Sequence, residues 1–171
     1  MRNVENYLNS WAKGVVRQQK NILASKNKNV SKKLSNSLKY NLSEYSEGYV
    51  LDFFMEPYGK FVDKGVSGKK TSRTYIDVTG KRKRSPYKYR DKQPPAKVFD
   101  KWIIKRGIAP RDEKGRFITR ESLKFLIARS IFFKGIKATS FFSKPLSLAL
   151  KTFNAGFKKA IIKQIENDLK E

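Results

Sequence analysis

Three carboxylates and two lysines in the first half of the chain come closest to a catalytic set. Asp52, Glu56 and Asp63 lie near Lys60 and Lys64. Metal-dependent nucleases use clustered carboxylates, often with a lysine, to hold Mg²⁺ and position water. The spacing of these residues matches no tight nuclease signature. Surface carboxylates that offset neighbouring lysines explain the same pattern, and we favour that interpretation.

The absence of two residue types narrows the chemistry further. The 171-residue chain contains no cysteine and no histidine. Thiol nucleophiles, disulfides, cysteine-based metal sites and serine–histidine pairs are therefore excluded. Catalysis would have to use Asp, Glu, Lys or Tyr, and the 15 acidic residues are scattered along the chain. We expect a protein that is not an enzyme and has no cofactor.

A long basic stretch, residues 67–95, is the second candidate site. Lysines and arginines neutralise phosphates and tyrosines stack on bases, but a loop folded onto a partner protein explains the stretch equally well. We predict contacts to DNA or to a partner from its ten basic residues: Lys69, Lys70, Arg73, Lys81, Arg82, Lys83, Arg84, Lys88, Arg90 and Lys92. We predict a subunit interface at its three tyrosines: Tyr75, Tyr87 and Tyr89.

The charge of the whole chain points to the same kinds of partner. Its 39 Lys and Arg against 15 Asp and Glu give a net charge of +24. Such a charge opposes compaction and indicates a polyanion or an acidic surface nearby in the working state. A lysine-rich bias of the source genome explains part of the excess. No apolar run approaches the ~20 residues that cross a bilayer, so we expect a soluble protein made in the cytoplasm, with no membrane partner.

Hydrophobic periodicity predicts the elements that position these residues. Apolar residues at spacings of three and four predict an N-terminal helix over residues 1–24, with Gln19 on its exposed side. Alternating apolar and polar residues predict an antiparallel hairpin at about 36–57, followed up to residue 66 by a short turn capped by Gly65.

The rest of the chain is predicted as a loop followed by helices. Residues 67–95 lack a long periodicity and predict an extended basic loop, with a possible short strand at 74–78. The helical part, 96–171, contains a short amphipathic helix, an apolar helix with Thr119 as its N-cap, and a long final helix from Pro145. The apolar helix should be buried, either in the core or under a neighbouring subunit. Its aromatic residues are expected in the core, with an exposed docking patch as the alternative: Phe125, Phe132, Phe133, Phe141, Phe142, Phe153 and Phe157.

These elements predict an α+β fold in one domain, residues 1–171. A small antiparallel sheet is packed by the N-terminal helix and two C-terminal helices, and a long basic loop leaves this scaffold.

Three phrases, taken in order, resemble a known family. The hairpin leads into YGKFVDKGVSG (58–68), and PPAKVFDKWIIKRGI (94–108) and SLKFLIARSIFFKGIKATSFFSKP (122–145) follow. Over about residues 36–150 the chain resembles the phage neck proteins of the tail-completion, or head–tail joining, class.

The resemblance implies a non-enzymatic structural protein at the head–tail junction of the virion, made in the host cytoplasm. Copies would form a homo-oligomeric connector ring that joins the portal to the tail around the DNA channel. The basic loop would face the genomic DNA or grip acidic surfaces of the portal, connector or tail proteins. The alternative is a basic, non-sequence-specific DNA-binding accessory protein that forms no ring.

Overall fold

The chain folds into a mixed α+β structure that divides into two compact units. This computed structural model describes residues 2–28, 31–109 and 111–170. The first unit contains the chain up to Gly59, Ile76–Lys81 and the chain from Ser140 onward, and the second contains Lys60–Tyr75 and Arg82–Thr139. The α+β class, with a small antiparallel sheet, an N-terminal helix and C-terminal helices, is confirmed. The single domain stays a prediction.

Two long antiparallel helices form the frame of the first unit, α1 (Arg2–Ser25) and α6 (Ser143–Asp168). As the hydrogen-bond donors of α1 rise in residue number, their acceptors in α6 fall in residue number. Their hydrogen bonds measure 2.8, 2.9 and 3.2 Å: Asn3 to Gln164, Tyr7 to Phe153 and Trp11 to Ala149.

The predicted hairpin packs beside these helices. A short helix, α2 (Lys33–Ser37), leads into β1 (Lys39–Tyr45), which pairs antiparallel with β2 (Gly48–Phe54) across a two-residue turn. Alternate side chains of β2 are half-buried, as the sequence predicts: Tyr49, Leu51 and Phe53. The ring of Phe53 meets that of Trp11 edge-on, with 6.2 Å between centroids, so the hairpin docks on α1 through its apolar face.

The buried face of α1 includes one polar residue that the sequence places wrongly. Gln19 is fully buried, and its Nε2 donates a 3.4 Å hydrogen bond to the carbonyl oxygen of Phe142. The prediction used its polarity, but helical spacing puts it on the same face as Leu8 and Leu23. The core of this unit contains Leu8, Ala12, Val15, Val16, Leu23, Leu34, Leu38 and Phe141.

The remaining elements belong mainly to the second unit. They are α3 (Gly59–Lys64), β3 (Thr74–Ile76), β4 (Arg82–Arg84), a 3₁₀ turn (Ala96–Phe99), α4 (Asp100–Lys105) and α5 (Arg120–Lys134). The backbone N–H of Ser122 donates to the hydroxyl of Thr119 at 3.2 Å, which confirms the predicted N-cap of α5.

Within the single chain α5 is not buried in the core, whereas its burial under a neighbouring subunit stays a prediction. Only Lys124 and Ala128 of this helix are buried, while Phe125 is 47% and Leu126 is 52% exposed. The reason is that, among the helices and strands, α5 packs mainly against the short 3₁₀ turn Ala96–Phe99, which covers one narrow face. On that face the ammonium of Lys124 lies 3.5 Å from the carboxylate of Asp100. Hydrogen bonding to Glu121, followed by the charge of Asp100, raises the pKa of Lys124.

The expectation of an extended loop over residues 67–95 is wrong in part. β3 pairs with β4 in a second two-stranded sheet, which confirms a strand at 74–76. Further isolated bridges join Val66 to Ile136 and Ser67 to Lys88. The pairing partners are up to about seventy residues apart along the chain. Local periodicity therefore does not predict these pairs.

Candidate polyanion-binding surface

The basic residues predicted to contact DNA or a partner lie in ordered segments, and five of them line two cavities of the second unit. All of them except Lys81, which lies in the turn after β3, belong to the second unit. Arg82, Lys83 and Arg84 form the exposed strand β4. Lys69 and Lys70 lie in a tight loop before β3, and Arg73 follows them, half-buried. Three exposed residues come after β4: Lys88, Arg90 and Lys92.

Two glycines allow that tight loop to sit against the end of α5. A Cβ at Gly68 would lie 2.1 Å from the carbonyl oxygen of Phe133, and one at Gly135 would lie 2.1 Å from that of Val66. Only glycine permits such approaches. The backbone N–H groups of Lys69 and Lys70 then donate to the carbonyls of Phe132 and Phe133 at 2.8 and 3.1 Å. The loop therefore satisfies carbonyls that the helix end would leave unpaired.

Serines hold the same loop to the segment after β4. The backbone of Ser67 donates to the carbonyl of Tyr87 at 2.8 Å and accepts from the N–H of Tyr89 at 2.9 Å. The Ser67 hydroxyl accepts from the N–H of Arg73 at 3.0 Å, and the Ser85 hydroxyl donates to the carbonyl of Gly65 at 2.7 Å. The cationic side chains thus project from a backbone that is fixed at several points.

The three tyrosines predicted at a subunit interface already pack inside the second unit. Tyr87 meets Phe61 edge-on at 4.5 Å and Tyr89 meets Phe132 at 6.4 Å between ring centroids. The ammonium of Lys64 lies 5.7 Å from the ring centre of Tyr75. Burial raises the pKa of Tyr89. All three rings remain partly exposed, and their interface role stays a prediction.

Two cavities open on this surface. One, which we call the cradle, has a volume of about 320 Å³ and is lined by Ser67, Gly68, Lys69, Lys70, Thr71, Ser72, Arg84, Ser85 and Lys88. The other, the aromatic cavity, has a volume of about 550 Å³ and is lined by Phe61, Val66, Pro86, Tyr87, Lys88, Tyr89, Arg90 and Ile136. Lys88 lines both, so the two cavities are neighbours. Sequence reasoning named all five of the cations and both of the tyrosines that line these cavities, but not the cavities themselves.

The carboxylates considered for a metal site take separate structural roles. Asp63 is 2% exposed at the end of α3, in the second unit. In the first unit, Asp52 is exposed on β2 and Glu56 forms a 3.4 Å ion pair with Lys33. Within residues 2–28, 31–109 and 111–170, no group of three or more acidic side chains is placed to hold a metal ion.

The first unit carries two exposed apolar surfaces of its own. The groove, of about 550 Å³, is lined by Leu8, Trp11, Gly48, Tyr49, Leu51, Phe53, Leu146, Leu150, Phe153 and Phe157. The stripe lies on the C-terminal turns of α6 and consists of Ile161, Ile162, Ile165 and Leu169, all exposed. The sequence predicts an apolar pattern along this helix. It does not predict the residue beyond which the rest of the chain no longer covers that pattern.

Comparisons with models of known families, with curated protein sequences and with solved structures give no match for this chain. In the part of the chain that the structure describes, no helix combines the length and the apolar character needed to cross a bilayer.

Proposed function

We propose that this chain is a structural subunit of the head–tail connector, or neck, ring of a tailed phage, which joins the portal to the tail around the DNA channel. The order of the three family-like phrases over residues 36–150 supports this assignment. The observation that carries it is the matched pair of apolar surfaces on the first unit, the groove and the stripe.

The groove and the stripe cannot cover each other within one chain. α6 is continuous from Ser143 to Asp168, so its last turns cannot fold back onto a groove lined by its own Phe153 and Phe157. Burying apolar surface contributes roughly 25 cal/mol per Å², which favours contact with a second copy. The stripe of one copy would then fill the groove of the next.

Basic side chains outnumber acidic ones beside the stripe, whereas acidic side chains lie at one end of the groove. The stripe is flanked by the lysines Lys158, Lys159 and Lys163 and by the acids Glu166 and Asp168. At the hairpin end of the groove, Glu44 accepts a 3.2 Å hydrogen bond from the hydroxyl of Tyr49, and Glu47 lies in the adjacent turn. A contact between different patches of identical copies is head-to-tail, and it closes into a ring when its rotation allows.

Mass measurement in solution tests the stripe-to-groove contact. We expect the wild-type chain to form a closed oligomer by itself or with the portal and tail proteins of the same phage. I162S/I165S should keep its helical circular dichroism but fail to assemble, because it removes two stripe residues that are 56% and 52% exposed. N154S/N167S, which changes two exposed polar positions on the same helix, should assemble like the wild type. A wild-type chain that stays monomeric under all these conditions would overturn the ring proposal.

A second candidate function is a basic, non-sequence-specific DNA-binding accessory protein. The ordered cationic surface of the second unit favours it, because fixed lysines and arginines along a folded segment are typical of phosphate contacts. In a ring around DNA the same surface would face the genome or an acidic neighbour. The two candidates differ in whether the chain assembles, so the mass measurement separates them.

A further inference from the structure

The cradle is lined by the groups that proteins use to bind anions. Four of its residues are cationic, four carry hydroxyls, and Gly68 completes the lining; among the described residues, none that lines it is acidic. Four positive charges around one cavity repel each other, and a bound anion relieves that repulsion. The charge distribution alone therefore selects an anionic ligand.

The cradle is also preorganised. The hydrogen bonds of Ser67, Gly68, Lys69 and Lys70 fix its loop against α5 and the segment after β4. The ammonium groups of Lys69 and Lys70 lie over the rings of Phe132 and Phe133, at 5.7 and 5.2 Å from their centroids, which limits the freedom of both side chains. Binding a ligand at such a site therefore costs little conformational entropy.

We infer that the cradle is a phosphate-binding site. Arg84 presents a planar fork of N–H donors suited to two phosphate oxygens, Lys88 adds a point charge from the paired segment, and Thr71 and Ser72 add hydroxyls. The phosphate is supplied by the DNA backbone or by free phosphate. DNA is the source that the neighbouring aromatic cavity favours, since Lys88 links it to rings on which a sugar or base can pack.

This inference depends on the proposed function only if DNA supplies the phosphate. The first test therefore uses inorganic phosphate without DNA. The full chain is titrated with sodium phosphate against sodium chloride of equal ionic strength, and amide shifts are followed by NMR. Saturable shifts are expected at Gly68–Ser72 and at Ser85–Lys88. R84S/K88S should weaken binding roughly tenfold or more, because it removes two charge-assisted contacts.

The matched control is K13S/R17S, which removes the same two charges, one lysine and one arginine, at exposed positions of α1 that line neither cavity and are not among the predicted contact residues. It should change phosphate affinity less than twofold. Absence of saturable shifts, or an equal loss in both variants, would overturn the site. Should R84S/K88S fail to fold, K88Q alone carries the same comparison.

A second arm measures binding of a random-sequence DNA duplex by the same proteins. A larger loss for R84S/K88S than for K13S/R17S supports DNA as the source of the phosphate. Equal losses, together with selective loss of inorganic phosphate binding, support a free-phosphate site. That outcome removes the DNA contact from the cradle while leaving the site in place.

Discussion

Single residues decide whether the candidate surface exists at all, and the glycines matter as much as the cations. Gly68 has an ordinary negative φ, so its role is space and not backbone freedom. Its backbone passes so close to the carbonyl of Phe133 that any side chain collides with it. By contrast, a Cβ at Gly14 in α1 would meet nothing within 4 Å.

These two glycines give opposite predictions. Gly68→Ala should lower the free energy of unfolding by about 1–3 kcal/mol, as overpacking typically does, and should weaken phosphate binding. Gly14→Ala should raise it by about 0.5–1 kcal/mol, because glycine is a poor residue inside a helix. Urea unfolding of both variants beside the wild type measures this. If Gly68→Ala were as stable as the wild type, the close approach of the loop to α5 would be refuted.

At the scale of helices and strands, the sequence predicts the elements that depend on local residue patterns. The N-terminal helix, the hairpin, the Thr119 cap and the final helix all follow from spacing within a few residues. The paired form of residues 67–95 does not, because it depends on distant partners such as Ile136 for Val66. The exposure of α5 within the single chain has a related reason: an apolar pattern shows which residues can be buried, not whether this chain or a neighbouring subunit covers them.

The charged side chains of the β3–β4 hairpin lie on the surface. We therefore expect that their charge can be removed without disrupting the fold. Lys81, Arg82, Lys83 and Arg84 are all exposed. Replacing all four by serine should leave the melting temperature within a few degrees of the wild type, since surface substitutions usually change stability by less than about 0.5 kcal/mol each. The same variant should lose DNA retention or assembly.

A suitable control for DNA retention removes four lysines at the C-terminal end instead, three from α6 and one just after it: Lys158, Lys159, Lys163 and Lys170. It matches the change in net charge but leaves the hairpin intact, so DNA retention should fall less. A collapse of the melting temperature in the hairpin variant would show that β3–β4 belongs to the core.

At the scale of the whole molecule, the net charge of +24 and the open apolar surfaces support the proposal that the chain works together with partners. The charge repels copies from one another, whereas the groove and stripe favour their association. A polyanion resolves this conflict, because it neutralises the repulsion while leaving the apolar contact intact. Assembly should therefore be easier in the presence of DNA or at raised ionic strength, where surface charges are screened over about 8–10 Å.

The salt dependence of DNA binding measures how many of these charges meet phosphates. Each neutralised phosphate contributes about −0.9 to the slope of log K against log salt. The wild-type chain should give a steep negative slope. R84S/K88S, which removes two cations of the cradle, should give a slope shallower by roughly 1.8 on the same basis. The measurement is fluorescence anisotropy of a labelled duplex at several sodium chloride concentrations. A flat wild-type slope would mean that the basic surface meets acidic protein and not DNA.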